Sequence, residues 1–289
     1  MYLDFFGIKE PPFRLTPDLR FLYLSASHEE ALRAIVYGVH QREGLLSLVG
    51  EAGTGKTIML RTAVEWLGPR TRIAFISNFQ LNFDDLLRLV LIELGVQTDK
   101  AGLSKVDCLQ QLKQFAEAQS AGGGNVVLMV DEVQHLGVGD LENLRLLTNL
   151  ETPTHKLIQG VLSGQPELER KLGLPELKQL SDQLAQRCRI RPLEEAGVAA
   201  YIGRRLKVGG CDGELPFTRE SLRMISVLSH GIPREINMLC DKALVEAYET
   251  RSRIVTESLV EKAHKGLQSG AEASESDSRP KSRFAGGIN

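Results

Sequence analysis

Short apolar runs alternate with amphipathic stretches through the middle of the chain. The runs LLSLV (45–49), RIAFIS (72–77), VVLMV (126–130), LIQGVLS (157–163) and RCRIRP (187–192) are of strand length. Residues 56–67, 83–94, 104–119 and 138–150 between them carry helical spacing. Such alternation predicts a parallel sheet covered by helices, and runs apolar on both faces predict strands buried on both sides. Ahead of the first strand, SHEEALRAIVYGVHQ predicts an amphipathic helix with Leu32, Ile35, Val36 and Val39 on one face.

The strand signal fades after Pro192. EEAGVAAYIGRRLKV, TRESLRMISVLS, PREINMLCDKALVEAYE and TESLVEKAHKGL all show helical spacing, which predicts a small all-helical domain over 193–268. Residues 1–24 carry Phe5, Phe6, Pro11, Pro12, Phe13 and Pro17, a composition that predicts an extended strap rather than a helix. The last stretch, 269–289, is small and polar and is expected to be disordered, which leaves 25–192 as the α/β domain. No internal repeat is evident.

Composition narrows the class only a little. With 42% hydrophobic and 25% charged residues, the chain reads as an ordinary globular protein. A formal charge of -2 gives no bulk attraction to nucleic acid or acidic membrane, though a local patch remains open. Cys108, Cys188, Cys211 and Cys240 form no CxxC pair and read as free thiols in a reducing compartment. The early acids and prolines do not suit a signal peptide, and no apolar run nears the ~18 residues of a membrane span. A soluble, cytoplasmic protein is expected.

The chemistry starts at GEAGTGKT, 50–57. Gly50, Gly55, Lys56 and Thr57 satisfy the Walker A pattern G-x-x-x-x-G-K-[ST], with a strand before and a helix after. Chance produces these four positions in roughly one chain of this length in a hundred, and the flanking elements make it rarer. The glycines let backbone N–H groups face phosphate oxygens, and the helix adds its N-terminal dipole. Gly50, Glu51, Ala52, Gly53, Thr54, Gly55, Lys56, Thr57 and Ile58 are therefore the expected phosphate cradle. Lys56 would reach the β- and γ-phosphates, and the Thr57 hydroxyl would ligate Mg²⁺. The spacing GxxGxG excludes a dinucleotide fingerprint, and Val161 excludes a nucleophile elbow at Ser163.

NVVLMVDEVQHL supplies a second element. An apolar run ending at Asp131 puts a carboxylate at the carboxyl end of a strand, where it can hold Mg²⁺ beside the phosphates. Glu132 follows and is the candidate base for the attacking water. A helix cap for Asp131 and a solvated acid for Glu132 are the competing readings. Gln134 and His135 read as loop residues, with Gln134 in reach of the water network.

These segments together resemble the AAA+ superfamily, and within it the ATPase module of the general secretion pathway A proteins. The resemblance is carried by FFGIKEPPFRLTPDLRFLYLSASHEEAL, GEAGTGKT, VDEVQHL, SGQPELERKL, LAQRCRIRPL and GIPREINMLCDKAL, from residue 1 to about 265. It implies a parallel sheet ordered 5-1-4-3-2, a helical lid, ATP and Mg²⁺ as ligands, and ATP hydrolysis. It also implies a γ-phosphate sensor at Gln165, with Ser163 second. Arg187 stands where the family carries an arginine finger for a neighbouring subunit, and Arg234 where it carries a sensor arginine of the lid. A basic strand edge for Arg187 and Arg189 and a surface helix start for Arg234 are the plain alternatives. The segment before the first strand would run past the adenine, so Phe21–Ser25 and His28 are candidates for the base pocket; core aromatics are the plain alternative and the preferred reading for any single residue. Ile58 and Val133 depart from common family residues without touching this chemistry. The family's cell-wall-binding part is not expected, for want of a membrane span and of length.

The reading that follows is an ATP-hydrolysing homo-oligomeric switch with a protein partner in secretion or envelope assembly. A DNA-associated ATPase regulating transposition is a second reading, with GRRLKVGG (203–210) and RSR (251–253) as weak basic candidates. The third is an ATP-binding assembly module that hydrolyses negligibly, against which Glu132 and Arg187 weigh.

Overall fold

The computed structural model describes residues 2–77, 82–96 and 103–277, with side chains described as far as 269. A short helix, α1 (Tyr2–Phe6), opens the chain, followed by α2 (Ala26–His40), β1 (Leu45–Val49), α3 (Lys56–Leu67) and β2 (Thr71–Ile76). Next come α4 (Phe83–Glu93), α5 (Lys105–Ala121), β3 (Asn125–Val130), α6 (Val138–Thr148) and β4 (Ile158–Gly164). Two short helices, α7 (Glu167–Leu172) and α8 (Lys178–Asp182), lead to β5 (Leu184–Arg189). Four helices close the chain: α9 (Glu195–Val208), α10 (Arg219–Leu228), α11 (Pro233–Glu249) and α12 (Glu257–Asp277).

Residues 17–192 form one compact unit; 1–16 and 193–289 form another. The first holds a parallel sheet in the order β2-β3-β4-β1-β5, the same order that the resemblance implies. Burial follows position in the sheet. Every residue of the interior strands β1 and β4 is buried, whereas the edge strands β2 and β5 are half exposed. Side chains alternate between the faces as the pleat requires. Val126, Leu128 and Val130 of β3 join the core built with α4, α5 and α6. Val127 and Met129 join the core built with α2 and α3, through Leu32, Ile35, Met59 and Leu60. The sheet is thus buried on both sides, which is why its strands read as unbroken apolar runs.

The second unit packs α9 to α12 around Val198, Ile202, Leu206, Ile225, Ile236, Leu244 and Val260, all buried. The start of the chain is fastened to it by the polar groups of α9. Arg205 donates to the carbonyls of Pro12 and Arg14, and the N–H groups of Lys9 and Glu10 share the Gly209 carbonyl. The Tyr2 hydroxyl donates to Asp241 at 2.5 Å on α11.

Two boundaries differ from expectation. Tyr2–Phe6 is helical rather than extended, because the helix-limiting prolines begin only at Pro11. α12 carries helical backbone to Asp277, past the expected end at 268, through a segment with Ala271, Glu272 and Ala273 and no proline before Pro280. The rest of the expected tail, 278–289, lies outside the described residues.

Candidate nucleotide site

Parallel pairing brings the carboxyl ends of β1, β3 and β4 side by side. Val49 is opposite Gly164 and Val130 is opposite Leu162, so the loops leaving these strands start from adjoining points. Ligands of open α/β sheets bind at such ends.

The loop after β1 is shaped by its glycines. Gly53 and Gly55 have φ of +79° and +104°, left-handed values that side chains rarely adopt. A Cβ at Gly50 would lie 2.8 Å from Thr54 Oγ1 and 3.1 Å from the Ile190 carbonyl oxygen, so only glycine fits. Thr54 closes the turn by donating its hydroxyl to the Glu51 carbonyl at 2.8 Å. Lys56, only 4% exposed, donates its ammonium to the carbonyls of Gly50 (3.0 Å) and Glu51 (3.2 Å). Burial pushes the Lys56 pKa below its ordinary value, opposed by the carboxylates of Glu132, Asp131, Glu51 and Glu167. His28 holds the loop from behind. Its Nε2 lies 3.0 Å from the Thr54 carbonyl oxygen and its Nδ1 lies 2.6 Å from Ser25 Oγ. The buried ring's pKa is lowered by desolvation against the opposing pull of that carbonyl. His28 is thus bound to the backbone of the loop.

Asp131 is 2% exposed and held on both carboxylate oxygens. Oδ2 accepts from the Thr57 hydroxyl at 2.5 Å; Oδ1 accepts from Ser163 Oγ at 2.7 Å and from the Glu132 N–H at 3.0 Å. A hydroxyl oxygen and a carboxylate oxygen therefore converge beside the phosphate loop. Hard oxygen donors of this kind fit Mg²⁺, which keeps most of its shell as water and phosphate oxygen. Thr57 and Asp131 are the residues that would hold it.

Glu132 adopts φ +54° and ψ +34°, a left-handed conformation that costs a non-glycine residue on the order of 1–3 kcal/mol. Its Oε2 accepts from the side-chain amides of Gln134 and of Gln165, the latter at 3.3 Å. Burial alone would raise the Glu132 pKa. The Gln134 and Gln165 amides, then Lys56 and His135, outweigh it, and the pKa lies below the ordinary carboxylate value. His135 itself is exposed.

The fold thus gathers Gly50–Ile58, Asp131, Glu132, Ser163 and Gln165 at the carboxyl ends of β1, β3 and β4. Arg187 is elsewhere: exposed on the edge strand β5, its guanidinium donates to Ser181 O and Oγ, both at 2.8 Å. Arg189 on the same edge pairs with Glu169. Arg234 is exposed in the first turn of α11, in the helical unit. Gln134, read from the sequence as a loop residue, is buried and bonded into the site. Its signal in the sequence was its place two residues after Glu132, within reach of the water network.

A five-stranded parallel sheet in this order, with a glycine-shaped loop after β1 and paired acids after β3, is the P-loop fold of the AAA+ kind. Residues 39–172, just under half of the chain, match the family described as AAA domain, and the chain has the fold of AAA+ proteins. In sequence it is similar to General secretion pathway protein A of Aeromonas hydrophila, at 44% identity over 249 residues. That match takes in 86% of this chain and 45% of the relative, so the chain spans under half of that protein's length. Among solved structures, Cdc6p from Pyrobaculum aerophilum superposes with a TM-score of 0.68 at 18% identity, covering 87% of this chain and 71% of that one. The Aeropyrum pernix ORC2 protein, solved as ADPNP–ADP complexes, superposes at 0.67 and 17%, covering 90% and 72%. At these identities the likeness is one of fold.

Proposed function

We propose that this chain binds ATP with Mg²⁺ and hydrolyses it, working as a homo-oligomeric switch in the cytoplasm that serves a secretion or envelope-assembly partner. The observation that carries the chemical part is the continuity of the Thr57–Asp131 pair with the Glu132–Gln165 pair at the mouth of the loop that holds Lys56. Lys56 would exchange the Gly50 and Glu51 carbonyls for phosphate oxygens, a substitution that restores the charge compensation its burial demands. Mg²⁺ held by Thr57 and Asp131 would supply neutralisation of the negative charge that develops during hydrolysis. Glu132 would accept the proton of the attacking water, and the Gln165 amide would donate toward the γ-phosphate. Arg187, exposed on an edge strand, would exchange its two bonds to Ser181 for the phosphate of a neighbouring subunit's site, and Arg234 would report the nucleotide state.

The secretion role rests on the likeness to General secretion pathway protein A, and no described helix is long and apolar enough to cross a membrane. Two variants test the chemistry. Lys56→Ala should abolish ATP binding, while Glu132→Gln should bind ATP and lose about 10²–10⁴-fold in turnover. Retained affinity in the first, or near-normal turnover in the second, sinks the assignment. Mass in solution with ADP or a slow ATP analogue, each with and without duplex DNA, tests the switch. Assembly driven by nucleotide alone supports it, and assembly only on DNA would move the role to nucleic acid.

A further inference from the structure

Glu132 is an aimed side chain on a backbone that does not aim it cheaply. Its left-handed conformation directs the turn after β3, and the carboxylate then depends on partners to keep one direction. Gln134 is the nearer of these. It is 8% exposed, and a buried amide has to place both of its polar ends. The orientation of that amide follows from an unambiguous donor: the backbone N–H of Gln165 lies 3.1 Å from Oε1, so the oxygen must face Gln165. The NH₂ end is then left to donate to Glu132 Oε2, as it does.

The surroundings of Gln134 restrict it to this pose. Lys171 clamps the turn by donating its ammonium to the carbonyls of Gln134 and Leu136, at 2.6 and 2.7 Å. Gly164 leaves the room: a Cβ there would stand 3.0 Å from Gln134 Oε1 and 3.1 Å from Leu168 Cδ2. The Gln165 side chain shares the same carboxylate oxygen at the longer distance of 3.3 Å. It is also the group expected to turn to the γ-phosphate.

We propose that Gln134 is the positioning residue for the hydrolytic base, holding the Glu132 carboxylate in line with the attacking water while Gln165 engages the γ-phosphate. The inference rests on the hydrolysis reading above. Gln134 touches neither water nor phosphate in this scheme; it acts through Glu132, and one amide links the base to the strand end that carries the phosphate sensor.

Two substitutions in the full chain separate this role from a merely structural one. Gln134→Glu keeps an acceptor for the Gln165 N–H and replaces the donor facing Glu132 with a second carboxylate. Gln134→Met keeps the length and loses both bonds. ATP affinity is read with a fluorescent ATP analogue and Mg²⁺, turnover by phosphate release, and folding by thermal melting. Both variants should bind ATP within about threefold of wild type and lose ~10–100-fold in kcat, the cost of misplacing a catalytic group by about an ångström. Adding Gln134→Met to Glu132→Gln should lower single-turnover hydrolysis no further, because the residue it serves is already gone. A Gln134→Glu variant with near-wild-type kcat overturns the inference, whether or not Gln134→Met is active or folded, since the bolt to Gln165 would then be the whole role. So does a further loss in the double variant equal to that in the wild-type background. Wild-type turnover no higher than that of Lys56→Ala overturns the hydrolysis reading and this inference together; wild-type turnover matched by Gln134→Glu overturns this inference alone.

Discussion

Ser163 offers a measurement in which stability and metal binding must change together. It is wholly buried on β4, and its hydroxyl is one of the two donors on Asp131 Oδ1. Ser163→Ala removes that donor and leaves a gap the size of one oxygen, too small to admit a replacement water. Asp131 keeps the Thr57 hydroxyl on Oδ2 and the Glu132 N–H on Oδ1. A hydrogen bond to a carboxylate contributes about 1.5–3 kcal/mol, so the α/β unit should lose that much. Trp66 is the sole tryptophan of the chain and lies on α3, so its fluorescence in urea reports that unit rather than the helical one. With a slope of about 2 kcal/mol per molar urea, the midpoint should fall by ~0.8–1.5 M. The Mg²⁺ concentration needed for half-maximal ATP binding should rise ~10-fold or more, since Ser163 orients an expected metal ligand. An unchanged midpoint would show that Asp131 does not depend on Ser163. A lower midpoint with unchanged Mg²⁺ dependence would refute Asp131 as a ligand held by it.

Other consequences concern the edge strand and the helical unit. If Arg187 completes a neighbour's site, Arg187→Ala should cost ~10³-fold in turnover, and mixing it with Lys56→Ala subunits should restore part of the activity; absence of rescue at assembling concentrations argues for a plain strand-edge role. In the helical unit, buried Glu246 meets Lys262 at 2.6 Å and Lys242 at 3.1 Å. The bond to Lys262 lowers its pKa most; burial opposes, and Lys242 adds to the lowering. A folded pKa below the unfolded one contributes stability that is present above the ordinary carboxylate range and is lost as pH falls through the folded value. Glu246→Gln should therefore lower stability more at neutral pH than at a pH well below the ordinary carboxylate range, read by circular-dichroism melts. An equal loss at both pH values would assign the effect to packing instead.

Much of the architecture was legible because its signals are local. VVLMV is short, rich in β-branched residues and apolar on successive positions, as a strand buried on both faces requires, and β3 occupies 125–130 with Val126 and Val127 in opposite cores. GEAGTGKT specifies backbone angles residue by residue, and Gly53 and Gly55 adopt the left-handed values that such a loop needs. Asp131 follows the last apolar residue of β3, so its place at a strand end required no knowledge of the rest of the chain.

What escaped the sequence depends on contacts between distant segments. Gln134 looks like any polar residue of a loop until β3 and β4 pair, setting the Gln165 N–H 3.1 Å from its oxygen. The same pairing decides that Ser163, thirty-two residues from Asp131, serves that carboxylate. Residues 1–24 read as an extended strap, and only Arg205, nearly two hundred residues on, shows that Pro12 and Arg14 are tied to the helical unit. The chain alone therefore determined its strands, its helices and its phosphate loop, since periodicity and glycine content act over a few neighbouring residues. Tertiary structure decided which polar groups hold the acids and in what direction, because a hydrogen bond closes only when strand register brings its two ends within about 3 Å.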